Sequence, residues 1–193
     1  MSEIIIKKKA YIKEEELNSY SYVASREGKK YLVYDFGGDY EHFSDFKFAA
    51  KRLKNSGVTI PEVIAIDKKS QRIVIEALEG RTPFDLLQEA DLDEKILELA
   101  FILNYKARVN GLRLDFHPWN FVYANKTLYY IPFTFTSYIR DEDFTQREIR
   151  LWFYTKEFAD ELIKRGIPMD KNRLLSEFEQ NKKMVLMVVK YFR

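Results

Sequence analysis

Alternating apolar and polar positions run through the first eighty residues and predict β-strands. The pattern begins in EIIIKKKAYI, and two β-rich runs, residues 19–25 and 30–36, flank the hairpin signal REGK. Two further runs lie in VTIPEVIAIDKKSQRIVIEALEG, separated by the turn DKKSQ. Between these pairs, four apolar residues fall at helical spacing: Phe43, Phe46, Ala50 and Leu53. Gly57 then ends the predicted helix. We therefore predict a five-stranded antiparallel sheet that carries one helix.

Helical periodicity replaces strand alternation after residue 80. Thr82 is a predicted cap with Pro83 at the first helical position. The longest amphipathic helix lies in LDEKILELAFILNYKARVNG, and Gly111 ends it. The change of period divides the chain into a strand-rich part, residues 1–80, and a helical part, residues 81–193, which we expect to form one compact protein.

The last third of the chain combines a broken strand pair with two closing helices. Pro132 interrupts the predicted strand pair in KTLYYIPFTFTSYI, since proline cannot donate to a ladder. The two helices lie in FTQREIRLWFYTKEFADELIKRG and DKNRLLSEFEQNKKMVLMVVKYF. Residues 184–189 are apolar on nearly every side, so the final helix is predicted to be buried.

Composition excludes several classes of protein. The 193 residues carry 32 basic and 30 acidic side chains, a net charge of +2, which gives no strong nucleic-acid signal. The absence of cysteine excludes disulfides and thiolate catalysis. No apolar run approaches the roughly 20 residues of a membrane helix. The apolar run in MSEIIIKKKAY is too short for a signal peptide. We expect a cytoplasmic protein that does not span a membrane.

The polar loop GLRLDFHPWNFVY, residues 111–123, carries the candidate chemistry. It holds one of the two histidines of the chain, His117, between Asp115 and Asn120. An aspartate within hydrogen-bond reach of a hydroxyl can accept its proton. An amide oxygen five residues later can bind Mg²⁺, a cation that prefers oxygen ligands. The alternative is that Asp115 and Asn120 only hold a tight turn through their side chains.

The order of elements, together with this loop, resembles the protein-kinase-like fold in its smallest form. The nearest families by pattern are the RIO kinases, the KEOPS-complex tRNA-modification kinase and the aminoglycoside phosphotransferases. LKNSGVTIPEVIAID resembles the segment that leaves the sheet-lobe helix, and RIVIEALEGRTPFDLL resembles the strand, hinge and next helix. LRLDFHPWNFVY resembles the catalytic loop H-G-D-x-H-P-x-N, and the similarity spans residues 30–135.

This resemblance implies an α+β, two-lobed fold, with a small antiparallel N-terminal sheet and one helix followed by a mostly helical lobe. It also implies a nucleotide, ATP, with Mg²⁺ or Mn²⁺. In the loop, Asp115 takes the catalytic position, His117 is a catalytic-loop residue expected to brace the loop, and Asn120 takes a metal-binding position.

Three candidate cofactor-binding positions in the strand-rich part follow from the same resemblance. Asp35 stands near the strand position of the phosphate-anchoring lysine, and Lys47 near that of its acidic partner on the helix, with Asp45 two residues away. A swapped Asp35–Lys47 pair would keep the contact between strand and helix. The alternative is that Asp35 merely ends an edge strand. Glu76 lies at the hinge.

The sequence departs from the family pattern where nucleotide and metal would bind. IKEEELNSYSY, expected between the first two strands, has three glutamates in the predicted turn and no glycine, whereas phosphate cradles use glycine for close approach. Pro132 stands at the position of the metal-binding aspartate. The nearest carboxylates downstream are expected to be a solvated cluster, or else to supply a replacement ligand: Asp141, Glu142 and Asp143.

Three hypotheses of function remain open from the sequence. The first is a pseudokinase-like binding or regulatory protein with a degenerate nucleotide site, whose protein partner or small-molecule ligand the sequence does not identify. The second is a divergent but active ATP-dependent kinase that phosphorylates a small-molecule or protein hydroxyl. The third is a small α+β scaffold whose loop only imitates the motif.

Overall fold

The computed structural model describes residues 2–191, which form an α+β protein with five α-helices and a curled antiparallel sheet near the N-terminus. These residues divide into two compact units. The first contains the residues up to Asn55 together with Ile60–Glu79, and the second contains Ser56–Thr59 and the residues from Gly80 onward. The change of period near residue 80 lies at this division, but the return of Ser56–Thr59 to the second unit had no signal in the sequence.

The first unit is a six-stranded antiparallel sheet with one helix, α1, at Tyr40–Asn55. In space the strands follow the order β1-β2-β3-β4-β6-β5. Their bounds are Ser2–Ile6, Lys9–Asn18, Ser21–Arg26, Lys29–Asp35, Val63–Asp67 and Arg72–Glu76 for β1 to β6. One side of the sheet holds a buried cluster of alternate residues: Ile6, Tyr11, Tyr22, Ala24, Val33 and Val74.

Two expectations about this sheet are wrong. The first apolar run forms two strands, β1 and β2, because Lys7 and Lys8 take positive φ and reverse the chain between them. The three glutamates Glu14–Glu16 lie within strand β2 rather than in the turn. Irregular pairing between β2 and β3 at this point keeps their side chains in solvent, so the strand continues to Asn18.

The second unit contains the remaining helices and two short two-stranded sheets. Strand β7 pairs with β10, and β8 pairs with β9. Helices α2 to α5 span Pro83–Glu89, Glu94–Val109, Lys156–Lys164 and Glu177–Tyr191. Strands β7 to β10 span Leu112–Arg113, Phe121–Ala124, Thr127–Tyr130 and Thr136–Ser137. Short 3-10 helices occupy Pro118–Asn120, Arg140–Glu142, Glu148–Trp152 and Lys171–Arg173.

In this unit the predicted cap of α2 is confirmed, whereas the predicted strand pair around Pro132 is wrong. Thr82 caps α2 by accepting from the Asp85 amide, with Pro83 at the start of the helix. The strands on either side of Pro132, β9 and β10, do not pair with each other. Strand β9 pairs with β8, and β10 pairs with β7. Phe133, which follows Pro132, is buried with φ of 52° and turns the chain between them.

The final helix, α5, is the second wrong expectation, because it is not enclosed. Val185 and Leu186 are 60% and 57% exposed, and Val189 is also exposed. The helix lies against the unit with one side only, where Tyr191 stacks on Phe101 at 5.2 Å between ring centroids. Within residues 2–191, no helix is both long enough and apolar enough to cross a membrane.

Candidate functional site

The polar loop begins where helix α3 ends at a glycine. Gly111 has φ of +70°, a conformation that glycine adopts without strain. The preceding residue, Asn110, donates its side-chain amide to the carbonyl oxygens of Lys106, at 2.9 Å, and Ser56, at 3.3 Å. These bonds fix the direction in which the chain leaves the helix and enters β7.

Alternation of burial along the loop places its polar side chains together. Leu112, Leu114 and Phe116 are each less than 5% exposed, so they point into the core of the unit. Because side chains of an extended segment alternate between two sides, the residues between them face the other way. Those residues are Arg113 and Asp115, and the alternation continues to His117.

Phe116 anchors the centre of the loop. Its ring stacks on Phe144 with centroids 4.6 Å apart, and its carbonyl oxygen accepts from Trp152 Nε1 at 2.7 Å. Trp152 is fully buried. Since both the ring and the backbone of Phe116 are held, the positions of its polar neighbours, Asp115 and His117, are fixed by the core.

Asp115 accepts hydrogen bonds from His117 and is held at both ends of its backbone. His117 Nδ1 contacts Asp115 Oδ1, and the His117 backbone amide donates to the same oxygen at 3.3 Å. The side-chain amide of Asn120 donates to the Asp115 carbonyl at 3.2 Å. The Asp115 amide donates to the Tyr130 hydroxyl at 3.3 Å. The structure therefore brings together the three loop residues that the sequence singled out.

The charges of Asp115 and His117 support one another. Burial alone raises the pKa of the Asp115 carboxyl, but the hydrogen bonds and charge of His117 outweigh it, and the pKa lies below its usual value. The hydrogen bond to Asp115 raises the pKa of His117, against the opposing effect of burial. At neutral pH Asp115 is therefore ionised, and His117 carries more positive charge than an isolated histidine.

The His117 ring is held from its other face by Trp119. The two rings stack with centroids 4.5 Å apart and planes inclined by 22°. The Arg165 guanidinium lies 4.2 Å from the centroid of Trp119. This stacking, together with the bond to Asp115, agrees with the expectation that His117 braces the loop.

A cavity of about 340 Å³ lies beside Asp115 within the second unit. Its wall contains five titratable side chains together with apolar and hydroxyl-bearing residues: Arg113, Leu114, Asp115, His117, Tyr130, Thr134, Phe135, Thr136 and Glu148. Most of these residues were not singled out from the sequence. The cavity is therefore a larger site than the loop motif alone indicates.

Arg113 and Glu148 form an ion pair in the wall of this cavity. Arg113 Nη2 donates to Glu148 Oε1 at 3.0 Å, and Arg113 also pairs with Glu142 at 2.9 Å. Glu148 is only 6% exposed. Burial raises the pKa of the Glu148 carboxyl, although the charge and hydrogen bond of Arg113 partly offset this. Its second oxygen, Oε2, is buried and has no hydrogen-bond partner among the described residues.

Comparisons with known proteins leave function to be inferred from these side chains. No family model matches the chain. No curated protein matches it either. The loop, the cavity and the acidic residues that follow them therefore supply the observations from which a function is proposed.

The expected solvated cluster at residues 141–143 is wrong for two of its three members. Asp143 is 4% exposed and accepts from Asn104 Nδ2 at 3.2 Å and from the Thr145 hydroxyl at 2.9 Å. Glu142 pairs with Arg113 and, at 3.4 Å, with Arg147. Only Asp141 is exposed. Within residues 2–191, no group of three or more His, Asp or Glu side chains is arranged to hold a metal ion.

The sequence left open whether Asp35 and Lys47 pair, and in the structure they do not. Asp35 Oδ2 accepts from Arg72 Nε at 2.8 Å, because the two residues face each other across strands β4 and β6. The proposed pair with Lys47 is therefore replaced, and Lys47 Nζ lies 5.1 Å from the Phe43 ring centroid. Strand β4 is also internal to the sheet rather than an edge. Glu76 ends strand β6 with an exposed side chain.

The sequence analysis singled out neither Glu148 nor Arg113. Glu148 lies in a segment whose apolar spacing predicted an ordinary helix, where a glutamate signals only a solvated face. The segment is instead a short 3-10 helix that turns Glu148 inward. Arg113 does have a signal, since it occupies a polar position in the same alternation that selects Asp115.

Proposed function

We propose that this protein is a pseudokinase-like binding protein, in which a kinase-like fold keeps the Asp115 loop but has a degenerate site for nucleotide and metal. The order of elements supports the resemblance. Strands β2 to β6 enclose helix α1 along the chain, and a helical unit with the polar loop after α3 follows. The loop then supplies a rigid, charged wall for a small ligand.

The observation that carries this proposal is that two of the three carboxylates that could replace the missing metal ligand, Glu142 and Asp143, are already bound by other side chains. Asp143 is buried against Asn104, and Glu142 is held by Arg113 and Arg147. Phosphoryl transfer depends on cations that neutralise the developing charge. Releasing Asp143 to a metal would leave a buried amide without its partner, which is costly.

The first unit supports the same proposal at the expected phosphate position. Asp35 places a carboxylate where the resemblance expects a lysine, and its charge is paired with Arg72 within the sheet. A carboxylate repels phosphate unless a cation lies between them. The first unit therefore offers no lysine at this position to anchor a phosphate.

A thermal-unfolding experiment with ATP, alone and with Mg²⁺ or Mn²⁺, tests the proposal. A ligand that binds only the folded state raises the unfolding midpoint, by an amount that depends on its concentration relative to Kd. We expect no rise that requires the metal. A metal-dependent rise that is lost in both Asp115→Ala and Asn120→Ala would contradict a degenerate site.

The ionised state of Asp115 favours a second candidate, a divergent active kinase. Asp115 lines the cavity and is kept charged by His117, as a group that orients a hydroxyl requires. This candidate predicts the metal-dependent rise described above, together with transfer of phosphate to a hydroxyl. The same thermal-unfolding experiment therefore distinguishes the two candidates.

A further inference from the structure

We propose that the exposed face of strands β1 to β3 is an interface between two copies of this chain, in which the acidic segment Glu14–Leu17 of one copy occupies a groove beside Lys8 and Lys9 of the other. The inference goes beyond the proposed function, because it uses none of the side chains on which that proposal rests. It is carried by the register of the three strands, by a bulge in β2 and by the distribution of charge along β2.

The register of β1 to β3 places one set of side chains on the side of the sheet away from its buried cluster. Directly opposite residues of antiparallel strands lie on the same side, and successive residues alternate between sides. Ile6 and Tyr11 are fully buried, so their neighbours face outward. These neighbours form what we call the hairpin face: Glu3, Ile5, Ala10, Ile12 and Ser25.

The hairpin face exposes apolar side chains to solvent. Ile5 is 54% exposed and Ile12 is 47% exposed. Leu17, at the end of the acidic segment, is 50% exposed. Exposed apolar groups that are clustered and rimmed by charge mark interaction sites. The face is therefore a candidate contact surface.

A bulge in β2 turns Glu15 onto the hairpin face. Lys13 pairs with Ala24, which is fully buried, whereas Glu15 pairs with Val23, on the same side of β3 as Ser25. In a regular strand Glu15 would lie on the side of Lys13, but the extra residue shifts it by one place. Bulges commonly re-aim a side chain in this way. The hairpin face therefore has an acidic end.

The other end of the hairpin face is a basic groove of about 570 Å³. Its lining combines charged residues with small and aliphatic ones: Glu3, Lys8, Lys9, Ala10, Ile12, Ser25, Arg26, Glu27 and Gly28. Arg26 pairs with Glu27 at 3.3 Å. Within residues 2–191, Lys8 and Lys9 have no ion-pair partner, so the groove is left with two lysines against Glu3.

The charges of β2 make the hairpin face complementary to itself. Lys9 precedes Ile12 by three residues and Glu15 follows it by three, so each lies about 10 Å away along the strand. A two-fold axis that lies in the interface and crosses β2 at Ile12 places the lysine end of each copy against the glutamate end of the other. Among the described residues, Glu15 has no ion-pair partner within its own chain.

The two kinds of contact have different roles in this dimer. The isoleucines and Leu17 bury apolar surface, which supplies the affinity. The charges fix the orientation and exclude other arrangements, because like charges that meet across an interface are costly. An acidic segment with an aliphatic end therefore matches a groove with lysines at its rim and Ala10 and Ile12 in its lining.

Sedimentation velocity of the full chain, from about 1 μM to about 500 μM, tests the interface. We expect the mass to rise from that of one chain to that of two, and added salt to shift the equilibrium back toward the monomer. A chain that remains monomeric at the highest concentration would overturn the proposal and leave the face to a different partner.

Two charge-reversed variants test the arrangement. Lys8→Glu/Lys9→Glu makes both ends of the face acidic, and Glu14→Lys/Glu15→Lys makes both ends basic. Each variant alone should self-associate about tenfold more weakly or worse, because like charges then meet. An equimolar mixture should recover the dimer, since every contact between the two variants joins opposite charges. A mixture that stays monomeric would refute the two-fold arrangement.

A matched control and a second blocking variant complete the experiment. Lys68→Glu/Lys69→Glu makes the same change in net charge at exposed positions outside the face, so its self-association should equal that of the wild type. Ile12→Asp, also at an exposed position, keeps the test decisive if a charge-reversed variant does not fold. It should abolish the dimer, and unchanged self-association of Ile12→Asp would overturn the proposal.

Discussion

Asp115 and His117 act as one unit, because each stabilises the charged form of the other. The pKa of the Asp115 carboxyl is lowered, so the group stays ionised at a lower pH than usual. The pKa of His117 is raised, so the ring stays protonated at a higher pH than usual. The second histidine, His42, makes the same kind of contact with Asp39 in the first unit, and its pKa is also raised. The chain therefore contains an internal reference for any measurement on His117.

An NMR titration of the two histidine rings tests this coupling. We expect both pKa values to lie above the ordinary 6.5, because each ring donates to an aspartate. Asp115→Asn should lower the pKa of His117 and leave that of His42 unchanged. A His117 midpoint that does not respond to Asp115→Asn would show that the pair does not form in solution.

The same pair predicts how stability varies with pH. Because the pKa of His117 is raised in the folded state, His117 stabilises the fold fully at pH values below its unfolded-state pKa. This stabilisation is lost as pH rises through the folded-state pKa. Because the pKa of Asp115 is lowered in the folded state, Asp115 stabilises the fold fully at pH values above its unfolded-state pKa. This stabilisation is lost as pH falls through the folded-state pKa. Urea unfolding should show the largest difference between wild type and Asp115→Asn at about pH 4–6.5. A difference that is constant across pH 3–9 would contradict the linkage.

Asp35 supplies a second prediction at the scale of residues. A double-mutant cycle should give a coupling free energy of about 0.5–1 kcal/mol between Asp35 and Arg72, as for partly exposed ion pairs. Asp35 and Lys47 should be additive within about 0.5 kcal/mol, the usual error for independent sites. A larger coupling to Lys47 than to Arg72 would restore the swapped pair.

Among the elements, those with strong local signals were predicted well. The REGK hairpin, helix α1 and the Thr82 cap follow from turn chemistry, helical spacing and capping, which neighbouring residues determine. The predictions that failed depend on distant contacts or on backbone conformations that are uncommon for the residue type. The reversal at Lys7 and Lys8 needs positive φ at lysines, and the inward turn of Glu148 needs Arg113, 35 residues away.

Helix α5 shows the same limit and gives a prediction. Its apolar run predicts burial, but which side of a helix is covered depends on what packs against it. Val185 is exposed, so Val185→Ser should change the free energy of unfolding by no more than about 0.5 kcal/mol. Phe158→Ala, at a fully buried position on α4, should cost about 3–5 kcal/mol. In urea unfolding, a loss above about 2 kcal/mol for Val185→Ser would contradict the exposed position.

At the scale of the whole molecule, each of the two compact units carries a different feature on which the proposed function rests. The first unit carries Asp35 paired within its sheet, where the resemblance expects a phosphate-anchoring lysine. The second carries the Asp115 loop and a cavity that Asp115, Arg113 and Glu148 line. Since Glu142 and Asp143 are bound internally, our proposal expects the protein to hold a ligand rather than to transfer phosphate.

Phosphorus NMR of ATP and Mg²⁺ with the protein tests this claim most directly. The account predicts that the three ATP signals persist as long as they do in a protein-free blank. Loss of the γ-phosphate signal with growth of an inorganic phosphate or phosphomonoester signal, both abolished by Asp115→Asn, would contradict a degenerate site.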